Sequence, residues 1–110
     1  MDTAPFLVEI ENPEPGTTRL TLSGDFDYTT SGDLATLSPT LMNSDLRTLE
    51  IDLTGVSFID SSGLATLIHL YHAAEEHPAE MRFVGMTPYI AHLFEVTALD
   101  LVFNLPTSAT

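Results

Sequence analysis

Asp52-Leu53-Thr54-Gly55-Val56-Ser57-Phe58-Ile59-Asp60-Ser61-Ser62-Gly63-Leu64 is the stretch that decides how this chain folds. Leading into it, Leu49, Ile51 and Leu53 alternate with Glu50 and Asp52 at the two-residue period of a half-buried strand. An apolar lead-in, Val56 to Ile59, follows. From Ser62 to about Glu76 the period changes, and Leu64, Leu67, Ile68 and Tyr71 fall on one helical face. Asp60-Ser61-Ser62-Gly63 is therefore a strand-to-helix turn. Backbone N–H groups at a helix start point outward and carry partial positive charge, so hydroxyls placed there are suited to gaining and losing a phosphoryl group. Ser61 or Ser62 can cap the helix. Gly63 lacks a side chain and so leaves room for another chain or a phosphate to approach the backbone.

On the N-terminal side, Phe6, Val8 and Ile10 alternate with Leu7, Glu9 and Glu11 as a first strand. Asn12-Pro13-Glu14-Pro15-Gly16 is a turn cluster, and Leu20 and Leu22 mark a second strand, which predicts a hairpin. Gly24-Asp25-Phe26-Asp27 ends that strand. Leu34, Leu37 and Leu41 share a helical face that Ser31 can cap. Pro39 lies within that helix and is expected to kink or break it, or else to open a second helix with Ser38 as its cap. On the C-terminal side, Met81 to Val84 reads as a strand. Thr87-Pro88 opens a third helix striped by Ile90, Leu93 and Phe94, and Leu101 to Leu105 reads as a short last strand. The predicted order is β-β-α-β-α-β-α-β, an α/β fold. Its mixed sheet of about five strands carries helices mainly on one face. The 110 residues fit one domain, with a core over about 6–105 and a tail over 106–110.

Charge narrows the partners. Sixteen acidic residues face three basic ones, Arg19, Arg47 and Arg82, for a net of −13. That balance disfavours nucleic acid and anionic membranes, whose binding needs cationic protein surface. It suits a protein partner with a basic face, or simply solubility, and it favours a monomer without requiring one. Cysteine is absent, so no disulfide or thiolate metal site stabilises the chain. No apolar run reaches the ~18 residues of a membrane span. Met1-Asp2-Thr3-Ala4-Pro5 lacks the basic and apolar regions of a secretory signal, which makes the cytoplasm the expected location.

Other chemistries find less support. His69 and His72 stand three apart near Glu75 and Glu76, a spacing metal ligands can use, but no strict ligand motif surrounds them. Ser61 lies in no Gly-x-Ser-x-Gly elbow, and the sequence supplies no base for a hydrolase. No glycine-rich phosphate loop is present, so no nucleotide or other cofactor is implied. The bland alternative is that Asp60 or a serine only caps the helix. Against it stands the acidic company of Asp25, Asp27 and Asp60: a phosphate on a neighbouring serine raises the local negative potential and can expel a docked partner without unfolding the domain. The chain thus reads as a switch written by another protein, not as an enzyme.

Gly24-Asp25-Phe26-Asp27 together with Asp52 to Leu64 resembles the STAS domain, and more narrowly the bacterial anti-sigma factor antagonists. The similarity spans about Phe6 to Leu105, because the element order matches too. The resemblance implies a protein that binds an anti-sigma factor, itself a serine kinase, and so frees a sigma factor. It implies phosphorylation of Ser61, the serine directly after the aspartate, and reversal by a serine phosphatase. Ser62 then is the second family serine, with a structural role. Asp27 and Asp60 match the aspartates beside the phosphosite, which Gly63 completes. The implied partner surface centres on the start of the second helix and its neighbouring loops, through Asp25, Ser61, Ser62 and Leu64. STAS-like subunits that sit on transporter ATPases, or act as scaffolds without phosphorylation, are the rival within the family. Two features depart from the family pattern: Pro39, and the five residues after Leu105 where members often carry a further helix.

Overall fold

The computed structural model describes residues 5–103 and residue 105. The sequence readings of Met1 to Ala4 and of the tail 106–110 lie outside the described residues. In chain order the elements are β1 (Leu7–Glu14), β2 (Thr17–Phe26), α1 (Ser31–Leu41), β3 (Thr48–Ile59), α2 (Ser61–Glu76), β4 (Glu80–Gly85), α3 (Pro88–Val96) and α4 (Leu99–Val102). The described residues form one mixed sheet in the order β1-β2-β3-β4. β1 and β2 are the antiparallel hairpin read from the turn cluster, while β2–β3 and β3–β4 are parallel. Parallel neighbours need a crossover, and α1 and α2 supply the two.

Alternation along the strands separates two faces. Leu20, Leu22 and Phe26 of β2, with Leu49, Ile51 and Leu53 of β3, point into the core and are almost fully buried. Leu34 and Leu41 of α1, Leu67 and Leu70 of α2, and Ile90 and Phe94 of α3 meet them. The opposite face carries polar side chains. One row across it, Glu11–Arg19–Glu50–Arg82, is in register over all four strands and alternates in sign. Within it Arg19 Nε donates to Glu50 Oε1 at 2.9 Å. Opposite charges in directly paired positions support that register.

Four elements differ from expectation. β3 does not stop at Leu53 but takes up the apolar lead-in, running twelve residues to Ile59. It does so by shifting register against β2 between Thr21 and Ser23 and again between Gly24 and Asp25. A slipped residue turns side chains over, which is why simple alternation fails after Leu53. The buried stripe of α2 is Gly63, Leu67, Leu70 and Ala74, while Leu64, Ile68 and Tyr71 flank it half-buried. Pro39 neither breaks α1 nor starts a new helix. It sits in the last turn, and the helix closes two residues later at Leu41, so only the end of the ladder loses a donor.

The fourth difference is the last strand. Among the described residues the predicted strand Leu101–Leu105 is absent, and the sheet they form has four strands, not about five. Ala98 takes a left-handed conformation at φ 61° and α4 follows. One helical turn puts Leu99 and Phe103 on the same side, where both are buried, and leaves Leu101 and Val102 outside. The Phe103 ring packs against Phe83, Tyr71 and Phe94 at centroid separations of 4.9, 5.4 and 5.5 Å. An extended chain would have placed Leu101 with Phe103 and forfeited that cluster.

Phe26 ends β2 beneath the second helix and stacks on Phe6 at 5.0 Å. Phe26→Ala is expected to lower stability by about 3–5 kcal/mol, measured by urea denaturation.

Candidate functional site: the start of the second helix

The site lies where β2 and β3 end side by side and α2 begins. Asp60 closes β3, donating its backbone N–H to Phe26 O at 3.3 Å. Its carboxylate does two jobs. Oδ1 accepts the backbone N–H groups of Ser62 and Gly63 at 2.9 and 3.1 Å. Oδ2 accepts the Tyr28 N–H, in the loop after β2, at 3.1 Å. Asp60 is thus the cap, not Ser61 or Ser62, and the helix starts at Ser61, one residue earlier than its periodicity suggests.

The loop from Asp27 to Thr30 is tied on itself as well. Asp27 Oδ1 accepts from Thr29 N at 2.9 Å and from Thr29 Oγ1 at 2.6 Å. Thr30 Oγ1 donates to Asp25 O at 2.8 Å and accepts from Asp27 N at 2.9 Å. Ser31 N and Thr30 N both donate to Asp27 O, at 2.7 and 3.1 Å. The Thr29 hydroxyl and amide, then Thr30, hold the Asp27 carboxyl below its ordinary 3.8. Asp25, half-buried, pairs in register with Phe58 of β3.

Ser61 is exposed at the first helical position, and among the described residues its Oγ has no hydrogen-bond partner. Ser62 is half-buried. Leu64, also half-buried, packs its inner side on the core. Gly63 is buried, and the expectation of access at that glycine is corrected. A Cβ there would lie 2.5 Å from Phe26 O and 2.8 Å from Ile59 Cγ1. The glycine lets α2 seat against its own sheet and opens nothing to an outside chain. The structure therefore brings Asp27, Asp60, Ser61 and Ser62 together at one end of the sheet. Sequence reading missed Tyr28, whose amide joins the loop to the cap. A lone exposed tyrosine after an Asp-x-Asp pair carries no signal that could have found it.

The rival chemistries meet specific geometry. The first histidine of α2, His69, is eight residues beyond Ser61, about 12 Å along the axis at 1.5 Å per residue. His72 Nδ1 faces Glu75 Oε1 at 3.3 Å on the helix surface. Among the described residues no three His, Asp or Glu side chains are grouped to hold a metal. The hollow of about 570 Å³ lined by Asn12, Gly16, Thr18, Asn43 and Leu46 sits at the opposite end of the sheet. Among the described residues no helix is long and apolar enough to cross a membrane.

A family model described as "Mlab, STAS domain" matches residues 11–105. The chain belongs to this STAS family. A protein of Listeria monocytogenes named anti-sigma-B factor antagonist is 24% identical over 98 residues, covering 89% of this chain and 86% of the relative. The crystal structure of an anti-sigma factor antagonist from Mycobacterium paratuberculosis superimposes with a TM-score of 0.79 at 26% identity, covering 94% of this chain and 88% of that one. The Bacillus cell fate determinant SpoIIAA in its phosphorylated form has the same fold, with a TM-score of 0.68 at 18% identity and 93% of each chain covered. The STAS fold expected from the Asp52–Leu64 stretch is the fold observed.

Two predictions test how this end of the STAS domain is built. Gly63→Ala gains roughly 1 kcal/mol of helix propensity, yet overpacking against Phe26 O costs about 1–3 kcal/mol. A net fall in melting temperature is expected. For Asp27, a folded-state value below 3.8 means its contribution is fully present above that pH and fades as pH falls through the folded value. The stability gap between wild type and Asp27→Asn, followed by urea titrations from pH 7 downward, is expected to narrow only below pH 3.8.

Proposed function

We propose that this STAS domain is an anti-sigma factor antagonist switched at Ser61. In its unmodified form it docks, through the start of α2 and the loop after β2, on an anti-sigma factor that is also a serine kinase, and so frees a sigma factor. Phosphorylation of Ser61 by that kinase ends the docking, and a serine phosphatase restores it. The protein acts in the cytoplasm as a binding protein and performs no catalysis itself. Its relatives' names, anti-sigma-B factor antagonist and anti-sigma factor antagonist, support this reading.

The observation that carries it is the state of the helix end. Ser61 Oγ is exposed, while Asp60 already holds the Ser62 and Gly63 N–H groups. A phosphate on Ser61 would add about −1.5 to −2 charge without free access to those two donors. The dianion would stand beside Asp60 and near Asp27, with no arginine in the segments that build the site. Free in water that is tolerable. Pressed against a partner it loses hydration with little compensation, so docking is what gives way. Ser62, half-buried, is the poorer substrate for a kinase.

Ser61→Ala is expected to bind the anti-sigma factor whether or not ATP is present, and Ser61→Asp to bind at least about tenfold more weakly than wild type. Both are read by titration calorimetry. Radiolabel from ATP is expected on Ser61; label on Ser62 with none on Ser61 would refute the assignment. A pull-down from the native host that recovers a transporter ATPase and no anti-sigma factor would point instead to the scaffold role.

A further inference from the structure

Tyr28 is the most exposed of the large apolar side chains among the described residues, at 76%. An isolated aromatic on a mobile loop would mean little, since scattered apolar residues are normal on surfaces. Tyr28 differs because its backbone is held from both sides. Asp60 Oδ2 binds its N–H. The residues around it are closed into turns by Asp27 and Thr30. The side chain stands free while the chain that carries it is fixed.

That combination has a physical consequence for binding. Ordering a loop at an interface subtracts from affinity, and here the order exists beforehand. A tyrosine has few rotatable bonds and a large amphipathic ring, which is why tyrosines dominate binding hot spots. The carboxylates tied to its loop, Asp27 and Asp60, and those near it in the chain, Asp25 and Asp33, have no arginine among them in the sequence from Gly24 to Leu41 or from Asp52 to Leu64. The ring stands among acidic residues, with Phe58, 46% exposed, opposite Asp25 on the neighbouring strand end. Its complement is an apolar socket bordered by lysine or arginine.

We propose that Tyr28 is the aromatic anchor by which this domain engages its anti-sigma factor, and that Asp60 is a positioning residue that presents it. This rests on the docking reading above and adds to it the partner's socket: apolar in the middle, cationic at the edge. It also links switch and anchor, since the carboxylate beside Ser61 is the one that holds the Tyr28 amide. A dianion on Ser61 repels Asp60 and so weakens the grip on the anchor.

The test uses the full chain and each ATP-binding anti-sigma factor of the host, produced recombinantly. Tyr28→Ala is expected to raise Kd at least about tenfold with an unchanged melting temperature. Tyr28→Phe keeps the ring and is expected to stay within about threefold of wild type. Leu101→Ser is the control. Leu101 is 68% exposed, but its helix packs through Phe103 on Tyr71, ten residues down α2 from Ser61. No change is expected there. Asp60→Asn keeps an oxygen for the helix cap but loses the second acceptor. Hydrogen exchange at the Tyr28 amide is expected to quicken, and the affinity losses of Asp60→Asn and Tyr28→Ala to overlap instead of adding.

If wild type binds and Tyr28→Ala binds equally well, or Leu101→Ser weakens binding as much, the anchor is wrong and the docking reading stands. Losses that add in the double variant would overturn the positioning role. If no anti-sigma factor binds wild type, the docking reading itself falls and takes this inference with it.

Discussion

One carboxylate holds this end of the molecule together. Asp60 accepts two N–H groups from the first turn of α2 through Oδ1 and one from the loop after β2 through Oδ2. Helix start, strand end and loop are thereby a single rigid corner. Donors at a helix start must be satisfied by something, and using a side chain that also reaches a neighbouring loop converts a local need into a tertiary link. Ser61 is left at the corner's tip with its hydroxyl unengaged.

Charge is distributed to suit that corner. Of the three arginines, Arg19 and Arg82 lie on the polar face of the sheet, each paired with a glutamate. Arg47 precedes β3, where its N–H binds Gly16 O at the far end of the sheet. No cation comes from the segments around Ser61. Carboxylates without arginine in these segments favour encounter with a basic surface.

Packing explains how the corner is kept in register. Gly63, Leu67, Leu70 and Ala74 form the buried stripe of α2, small at both ends and bulky between. The glycine brings the first turn down onto Phe26, and Phe26 in turn stacks on Phe6. The far end of α2 is braced differently, by the aromatic cluster of Tyr71, Phe83, Phe94 and Phe103. The helix that carries the site is clamped at both ends.

The sequence by itself determined the alternation of elements, the hairpin, the one-sided covering of the sheet and the position of the strand-to-helix turn. These follow from local periods of two and 3.6 residues and from turn chemistry, which are properties of neighbouring residues. It also singled out Ser61, Asp60 and Asp27 as belonging together, because their motifs flank recognisable strand ends. What it could not decide depends on residues far apart in the chain. The fate of Leu101–Leu105 turned on the ring cluster that receives Phe103, since alternation of apolar residues suits a strand as well as an edge-on helical turn. The continuation of β3 turned on register shifts against β2. The choice of cap between Asp60 and a serine was left open, and Gly63 passed from access to packing because α2 approaches Phe26 so closely. Tyr28 gained meaning only when the fold set its amide against Asp60, thirty-two residues away. Side-chain reach and close approach are three-dimensional quantities, and no one-dimensional pattern encodes them.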